Sequence, residues 1–184
     1  MPPKVKVTKE HIIDTALDII RKKEPLNART LAAALHCSTQ PLFSNFASME
    51  ELRLAVLEKA NALYEEYITR EIESGEYPAY KASGMAYIRF AKEERELFKL
   101  LYMRDRSNEA VPEALDFGQR IESIVQNSTG LDPMEVKLFH LEMWAYVHGI
   151  ASMIATGFAN PDTELVSRML TDAYMGMRKQ YGLE

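Results

Sequence analysis

NARTLAAALHCSTQPLFSNFASMEEL, residues 27–52, is the stretch that decides the fold. Residues 28–35 are rich in Ala and Leu, which are strong helix formers, and Asn27 in front of them is a favourable N-cap residue. The stretch therefore predicts a short helix over 28–35. The helical pattern breaks at His36-Cys37-Ser38, where we expect a tight turn.

A second short helix is predicted over 39–45, directly after this turn. Pro41 falls in its first turn, where a backbone N–H would have no partner within the helix in any case. Ser48 and Glu51 then form the pattern of a capping box that opens a third helix. Two short helices joined by a turn of about 3–4 residues predict a helix-turn-helix.

The second helix of a helix-turn-helix can enter the major groove of DNA. Its apolar residues follow a helical spacing that leaves uncharged polar residues outside, where they suit base edges and phosphates. The outward residues are Thr39, Gln40, Ser44 and Asn45, and the apolar residues are Leu42, Phe43 and Phe46. An ordinary helical corner with a polar outer face has the same pattern, so the residues alone leave both interpretations open.

The same stretch resembles the N-terminal DNA-binding signature of TetR-family transcriptional repressors, which reads roughly I-A-x-x-x-G-V-S-x-x-x-L-Y-x-x-F-x-x-K-E-x-L. The matching residues are Leu31, Ala32, Ser38, Leu42, Phe46, Glu50 and Leu52. The resemblance extends over about the first 55 residues of the chain. Three positions depart from it, with His36 for the usual turn glycine, Phe43 for the usual tyrosine and Met49 for the usual lysine. The last two commonly touch DNA phosphates in the family.

The resemblance implies a protein that binds a double-stranded DNA operator. The helix over 28–35 would lie over the DNA backbone with Arg29 near a phosphate, and the helix over 39–45 would read bases. Phe43 would pack on a sugar or a thymine methyl group. The candidate DNA-binding residues are Arg29, Ser38, Thr39, Gln40, Pro41, Phe43, Ser44 and Asn45.

The formal net charge of −5 is unevenly distributed along the chain. Residues 1–48 hold seven Lys and Arg against four Asp and Glu, a net +3, so the remainder carries −8. DNA binding needs a local basic surface rather than a basic protein. The asymmetry therefore favours a basic DNA-binding part and an acidic remainder.

Cys37 is the single cysteine, which excludes an internal disulfide framework and fits a reducing compartment. A small buried hydrophobe is favoured there over a redox sensor. No apolar run approaches the ~20 residues that span a bilayer, and the first residues lack the apolar region of a signal peptide. We expect a cytoplasmic protein with no membrane partner.

Helical periodicity continues to the end of the chain, without a clear strand signal. It predicts an all-α protein of about nine helices, with a long helix over 49–73. We predict two domains, a helix-turn-helix DNA-binding domain over 1–52 and an effector-binding and dimerisation domain over 53–184. The acidic cluster of Glu93, Glu94 and Glu96 is expected to face solvent.

The whole chain contains ten methionines and seventeen Tyr, Phe and Trp residues, and most of them lie in the second part. Flexible Met and amphipathic Tyr suit an adaptable, largely apolar cavity, although simple core filling explains any single position equally well. Within a TetR-like body we favour a small-molecule pocket. Its candidate residues are Tyr87, Phe90, Tyr102, Met103, Phe117, Met143, Trp144 and His148.

Residues 139–158 are apolar around most of a helical circumference, and an amphipathic helix over about 163–181 follows. Two such helices suit a two-fold, four-helix interface, although both could instead complete the core of one protomer. The candidate interface residues are Gly149, Ser152, Met153, Thr156, Leu165, Met169, Leu170 and Ala173. Trp144, His148 and Gly149 also resemble the W-x-x-x-H-G motif of one TetR ligand-domain subfamily.

The sequence contains no arrangement of residues that indicates catalysis. The four histidines lack metal-ligand spacing, and there is neither a Gly-rich phosphate loop nor a nucleophile elbow. We therefore expect no enzymatic activity, no metal and no cofactor. The sequence predicts a homodimeric transcriptional regulator, a repressor that a small apolar or amphipathic effector releases from DNA. The alternative is an all-α binding module or enzyme whose helix-turn-helix is only a structural corner.

Overall fold

The computed structural model describes residues 7–107 and 119–183, and its regular structure in these ranges is entirely helical. The all-α prediction is confirmed. The helices are α1 Lys9–Arg21, α2 Ala28–Ala34, α3 Gln40–Asn45, α4 Met49–Glu73, α5 Ala79–Glu93, α6 Arg95–Tyr102, α7 Gln119–Thr129, α8 Pro133–Thr156 and α9 Thr163–Gln180. Across the described ranges, none of these helices has the length and apolar character needed to cross a bilayer.

Local sequence signals account for where several helices begin. The Asn27 side chain accepts from the backbone of Arg29 and Thr30, and the Thr30 hydroxyl accepts from the backbone N–H of Asn27 in return. Asp132 and Glu135 form the same reciprocal cap at the start of α8. Such caps satisfy backbone N–H groups that have no partner inside the helix, which fixes the starting residue.

The chain divides into two compact units. The first, called the head unit here, comprises residues up to 63 together with 94–103, and the second, the body unit, comprises 64–93 and 104–184. The division falls inside α4, which runs without a break from Met49 to Glu73. The domain boundary after residue 52 stays a prediction.

In the head unit, ion pairs connect acidic residues at the start of α6 to basic residues at the end of α1. The Arg21 guanidinium donates to both carboxylate oxygens of Glu94, at 2.9 and 3.0 Å, and Lys23 lies 3.6 Å from Glu96. The side chains of Glu94 and Glu96 are only 17% and 18% exposed. The expectation that the acidic cluster faces solvent is wrong for these two residues, because the basic end of α1 packs against the start of α6, whereas Glu93 is exposed.

The body unit is built around α5 and α8, the most extensively packed helix pair among the described residues. A cluster of buried residues from α7, α8 and the turn between them continues this core, consisting of Val125, Leu131, Val136, Phe139 and Met143. Helix α9 approaches α5 closely, since a Cβ placed on Gly84 would lie 3.2 Å from Leu170 Cδ1. The buried carboxylate of Glu71 pairs with Arg89 at 2.9 Å.

Candidate functional site

Helices α2 and α3 are joined by a tight turn whose geometry explains one departure from the family signature. His36 has φ 52, in the left-handed region that favours glycine. The N–H of Cys37 donates to Ala32 O at 3.0 Å and that of His36 to Ala33 O at 3.1 Å. This pattern closes a helix end around one left-handed residue. The turn therefore keeps the helix-turn-helix geometry, with a histidine where glycine would be unstrained.

Helix α3 exposes the face that the sequence predicts for DNA. Leu42 and Phe46 are 2% and 3% exposed and fix the inner side of the helix. Phe43, which is 50% exposed, lies on the outer side among exposed polar residues. The exposed candidates in and around this helix are Arg29, Ser38, Thr39, Gln40 and Ser44, while Pro41 is half-buried.

Asn45, predicted to face outward, is held by two backbone carbonyls instead. Its Nδ2 donates to Pro41 O at 2.8 Å and lies 3.4 Å from Val7 O, and the side chain is half-buried. With Nδ2 engaged in this way, the amide donates to a base only if one of these bonds breaks. Sequence periodicity missed this because the carbonyl of Val7 is 38 positions away along the chain.

Met49, where the family usually has lysine, is half-buried at the start of α4. It lines an apolar cleft of about 240 Å³ inside the head unit, together with Ile20, Leu26, Val56 and Leu100. A methionine fits this lining because its unbranched, polarisable side chain fills irregular gaps. The departure thus places an apolar residue toward the head core rather than a charge on the surface.

In the body unit, His148 is the centre of a polar chain inside aromatic surroundings. Its Nδ1 lies 2.9 Å from the Tyr87 hydroxyl and its Nε2 lies 3.2 Å from the Ser152 hydroxyl. The Trp144 ring stacks on the imidazole, with centroids 4.9 Å apart and planes 19° from parallel. Burial lowers the pKa of His148, which favours a neutral ring with one donor and one acceptor nitrogen.

A second tyrosine–histidine pair connects the same two helices and was not among the sequence candidates. The Tyr80 hydroxyl lies 2.8 Å from His140 Nδ1, and burial lowers the pKa of His140 to about 4. Burial also raises the pKa of Tyr80 well above its ordinary value. The tyrosines are seven residues apart on α5 and the histidines eight apart on α8, both about two helical turns. That matched spacing is the signal that would have predicted this pair.

The remaining effector candidates are distributed over both units. Tyr87, Phe90 and Met143 are buried in the body unit, where the ring centroid of Phe90 lies 5.5 Å from that of Tyr64. Tyr102 and Met103 belong to the head unit instead. Phe117 lies outside the described residues. The body unit therefore brings together only part of the set, the residues around the Tyr87–His148 pair.

The interface candidates on α8 and α9 fall into three groups. Gly149, Thr156 and Leu165 are exposed, whereas Ser152, Met153 and Met169 are half-buried. Leu170 is 3% exposed and points toward α5, and Ala173 packs on the cluster of buried residues. Leu170 and Ala173 therefore pack within one protomer. Exposed large apolar side chains on or next to these helices are Met134, Leu138, Tyr146, Phe158, Leu165 and Met175.

Comparisons with known proteins identify the family. The sequence model described as "Tetracyclin repressor-like, C-terminal domain" matches residues 80–174, just over half of the chain. The crystal structure of a TetR-like transcriptional regulator from Rhodococcus sp. RHA1 is 16% identical, covers 98% of this chain and 100% of its own, and superposes with a TM-score of 0.70. No functionally curated protein matches the sequence. The finer assignment to the W-x-x-x-H-G subfamily stays a prediction. With the helix-turn-helix of the head unit, these findings show that the chain belongs to the TetR family of DNA-binding transcriptional regulators.

Proposed function

We propose that the protein is a homodimeric repressor that leaves its DNA operator when a small apolar or amphipathic effector binds. TetR-like regulators bind DNA and small molecules and function as dimers. They are not enzymes, so the alternative of an enzyme with a purely structural helix-turn-helix does not hold. The sign of regulation, the dimer and the effector are the parts that we add to the family assignment.

The observation that carries the DNA-binding part is the outer face of α3. It presents the exposed ring of Phe43 between exposed hydrogen-bonding side chains, above an inner face fixed by two buried residues. Gln40 has the amide that pairs bidentately with adenine, and the Phe43 ring suits a thymine methyl group. Arg29, exposed near the start of α2, would neutralise a phosphate and set the orientation of the helix.

The proposed dimer pairs α8 and α9 with the same helices of a second copy. Leu138, Tyr146 and Leu165 are 46%, 41% and 49% exposed, so both helices offer large apolar side chains to a second copy. A Cβ added to Gly149 would meet no atom within 4 Å, so close approach of another helix is open there. A two-fold dimer would place two copies of α3 for two half-sites about 34–36 Å apart.

The proposed effector site lies at the seam between α5 and α8, around Tyr87, Trp144 and His148. The lowered pKa of the histidine favours its neutral form, both ring nitrogens lie within hydrogen-bond distance of hydroxyl groups, and the Trp144 ring stacks on the imidazole. Arg89 of α5 is paired with the buried carboxylate of Glu71. These features suit an uncharged, largely apolar molecule with a polar group. It would act through different affinities for two forms of the dimer, only one of which matches the groove spacing.

Selection of DNA from a random library with the purified full-length protein tests the proposal. We expect enrichment of a palindromic or near-palindromic site, because a two-fold dimer reads two equivalent half-sites. Enrichment of single, unpaired half-sites would contradict the dimer, and the absence of any enriched sequence would contradict base recognition by α3.

A further inference from the structure

Two neighbouring polar residues in the last turn of α3, Ser44 and Asn45, direct their hydrogen-bond donors at backbone carbonyls. The Ser44 hydroxyl donates to Gln40 O at 2.9 Å. The Asn45 Nδ2 donates to Pro41 O at 2.8 Å and lies 3.4 Å from Val7 O. A hydroxyl carries one donor hydrogen and the nitrogen of an amide carries two, so these bonds engage the donors of both side chains.

The same bonds leave the two side chains with acceptors. The Ser44 oxygen keeps its lone pairs after its hydrogen is used. Because carbonyl oxygens only accept, the Asn45 amide must direct its nitrogen, rather than Oδ1, at them. Either group donates outward only by giving up a bond to the backbone. The last turn of α3 therefore presents oxygen atoms that accept hydrogen bonds.

Ser44 lies on the outermost line of α3. Successive residues of a helix are separated by about 100° around its axis, which places Ser44 about 160° from each of Leu42 and Phe46. Leu42 and Phe46 are the buried residues that fix the inner side. Gln40 lies one turn earlier on the same line, and both Gln40 and Ser44 are exposed. The acceptor at Ser44 thus belongs to the side of α3 that a major groove would meet.

An acceptor in this position has few partners on DNA. Phosphate oxygens are acceptors themselves, and the partial negative charge at the C-terminal end of a helix also disfavours them. In the major groove the donors are the amino groups of adenine N6 and cytosine N4, whereas guanine O6 and thymine O4 are acceptors. Each base pair has one amino group there, on one of its two strands. An outward acceptor therefore distinguishes pairs by where that amino group lies.

We propose that Ser44 Oγ accepts a hydrogen bond from the amino group of a base, adenine N6 or cytosine N4, and thereby determines one base pair of each half-site. This inference rests on the proposed use of α3 in DNA recognition and specifies what the helix reads. The Gln40 amide carries both donors and an acceptor. Ser44, in contrast, only accepts while its hydroxyl is bonded to the helix, which makes it a specificity-determining residue.

Selection of DNA by the wild type and by Ser44→Ala locates the base pair. The variant should lose its preference at one position of each half-site and keep the others. The duplex that the wild type selects, called the enriched duplex here, is then prepared without that amino group, with purine for adenine or 2-pyrimidinone for cytosine. We expect the wild-type affinity to fall roughly 2- to 10-fold for each changed half-site, the net worth of a neutral hydrogen bond. The affinity of Ser44→Ala should stay nearly constant, which also controls for the weaker base pairing.

A second duplex separates a fixed acceptor from a hydroxyl that rotates. Exchanging A·T for G·C at this pair, or the reverse, with the purine kept on its strand, puts a carbonyl oxygen where the amino group was. A hydroxyl held by Gln40 O then faces another acceptor. The wild type should therefore bind this duplex more weakly than the duplex that only lacks the amino group. Equal binding of this duplex and the enriched duplex would show that the hydroxyl turns to donate, and would overturn the inference.

Ser128→Ala is a matched control. Ser128 is an exposed serine of α7 whose hydroxyl likewise donates to a carbonyl of its own helix, Val125 O, at 2.9 Å. Its base preferences should equal those of the wild type, and circular dichroism establishes that each variant is folded. If the wild type enriches no sequence, the proposed function fails and this inference fails with it. If it does enrich a site, but Ser44→Ala relaxes no position or loses as much affinity as the wild type when the amino group is removed, the function stands and only this inference is overturned.

Discussion

Replacing His36 with glycine should stabilise the protein. His36, the residue after the C-cap of α2, has φ 52, a conformation in which Cβ crowds the following carbonyl oxygen. The side chain is exposed, so its removal sacrifices no buried surface. Glycine adopts the same backbone angles without this crowding. The substitution therefore isolates the conformational energy of a single residue in the turn.

The expected gain follows from two opposing effects. The left-handed conformation costs a residue with Cβ about 1–2 kcal/mol, and histidine stands at the low end because it is enriched there. Glycine opposes this gain by roughly 0.5–1 kcal/mol, because it makes the unfolded chain more flexible and so stabilises the unfolded state. The free energy of unfolding should rise by up to roughly 0.5 kcal/mol, which is up to about 1–2 °C in the thermal midpoint for a chain of this size.

Urea unfolding of the wild type, His36→Gly and His36→Ala measures this difference. The alanine variant also removes the imidazole but keeps Cβ, so we expect it to be no more stable than the wild type. A higher midpoint for glycine alone, with unchanged m, would agree with the turn geometry. Equal stabilisation by alanine and glycine would refute the reasoning, because the effect would then come from the imidazole.

Three further predictions concern recognition, assembly and pH. Gln40→Ala should cost ~1–3 kcal/mol of discrimination at one or two base pairs of each half-site, measured by competition with single-base variants of the enriched duplex; equal weakening on every sequence would indicate a phosphate contact. Leu165→Arg and Gly149→Arg should each give monomers in sedimentation, because a charge in a two-fold contact enters twice. The control Leu54→Arg changes an equally exposed leucine of the head unit and should remain a dimer. If all three variants are dimers, the interface lies elsewhere. Burial lowers the pKa of His140 to about 4, so its neutral form contributes stability that is complete above about pH 6.5 and is lost as the pH falls through 4, up to about 3 kcal/mol. Between pH 7 and pH 4.5, urea unfolding should show a smaller loss of stability for His140→Gln than for the wild type. An equal loss in both proteins would contradict a buried neutral imidazole.

Local signals in the sequence were sufficient for the helix-turn-helix and for the caps. The spacing of Leu42 and Phe46 predicted the buried side of α3 because a helix has one fixed period. Asn27 predicted the start of α2 because a cap acts over three residues. The resemblance places glycine at position 36, and the structure has a left-handed residue there, the conformation that glycine adopts without strain. Each of these inferences depends on neighbours within about one helical turn.

Tertiary pairing accounts for what the sequence did not predict. Glu94 appeared to belong to a solvated acidic cluster, whereas its partner Arg21 lies 73 positions away. The inward bonds of Asn45 and the Tyr80–His140 pair likewise depend on which residues face each other across elements. The periodicity of a single helix gives a face but not its partner, and acidic side chains look alike in sequence whether solvated or paired.

The most direct test of the account is a titration of the full-length wild-type protein against the enriched duplex and a scrambled duplex of equal length and composition, followed by fluorescence anisotropy. A dimer that reads bases through α3 should bind the enriched duplex at least ~10³-fold more tightly than the scrambled one at physiological salt, with two protomers for each duplex. Equal affinity for the two duplexes would show that α3 does not read sequence, and the proposed function would then be wrong.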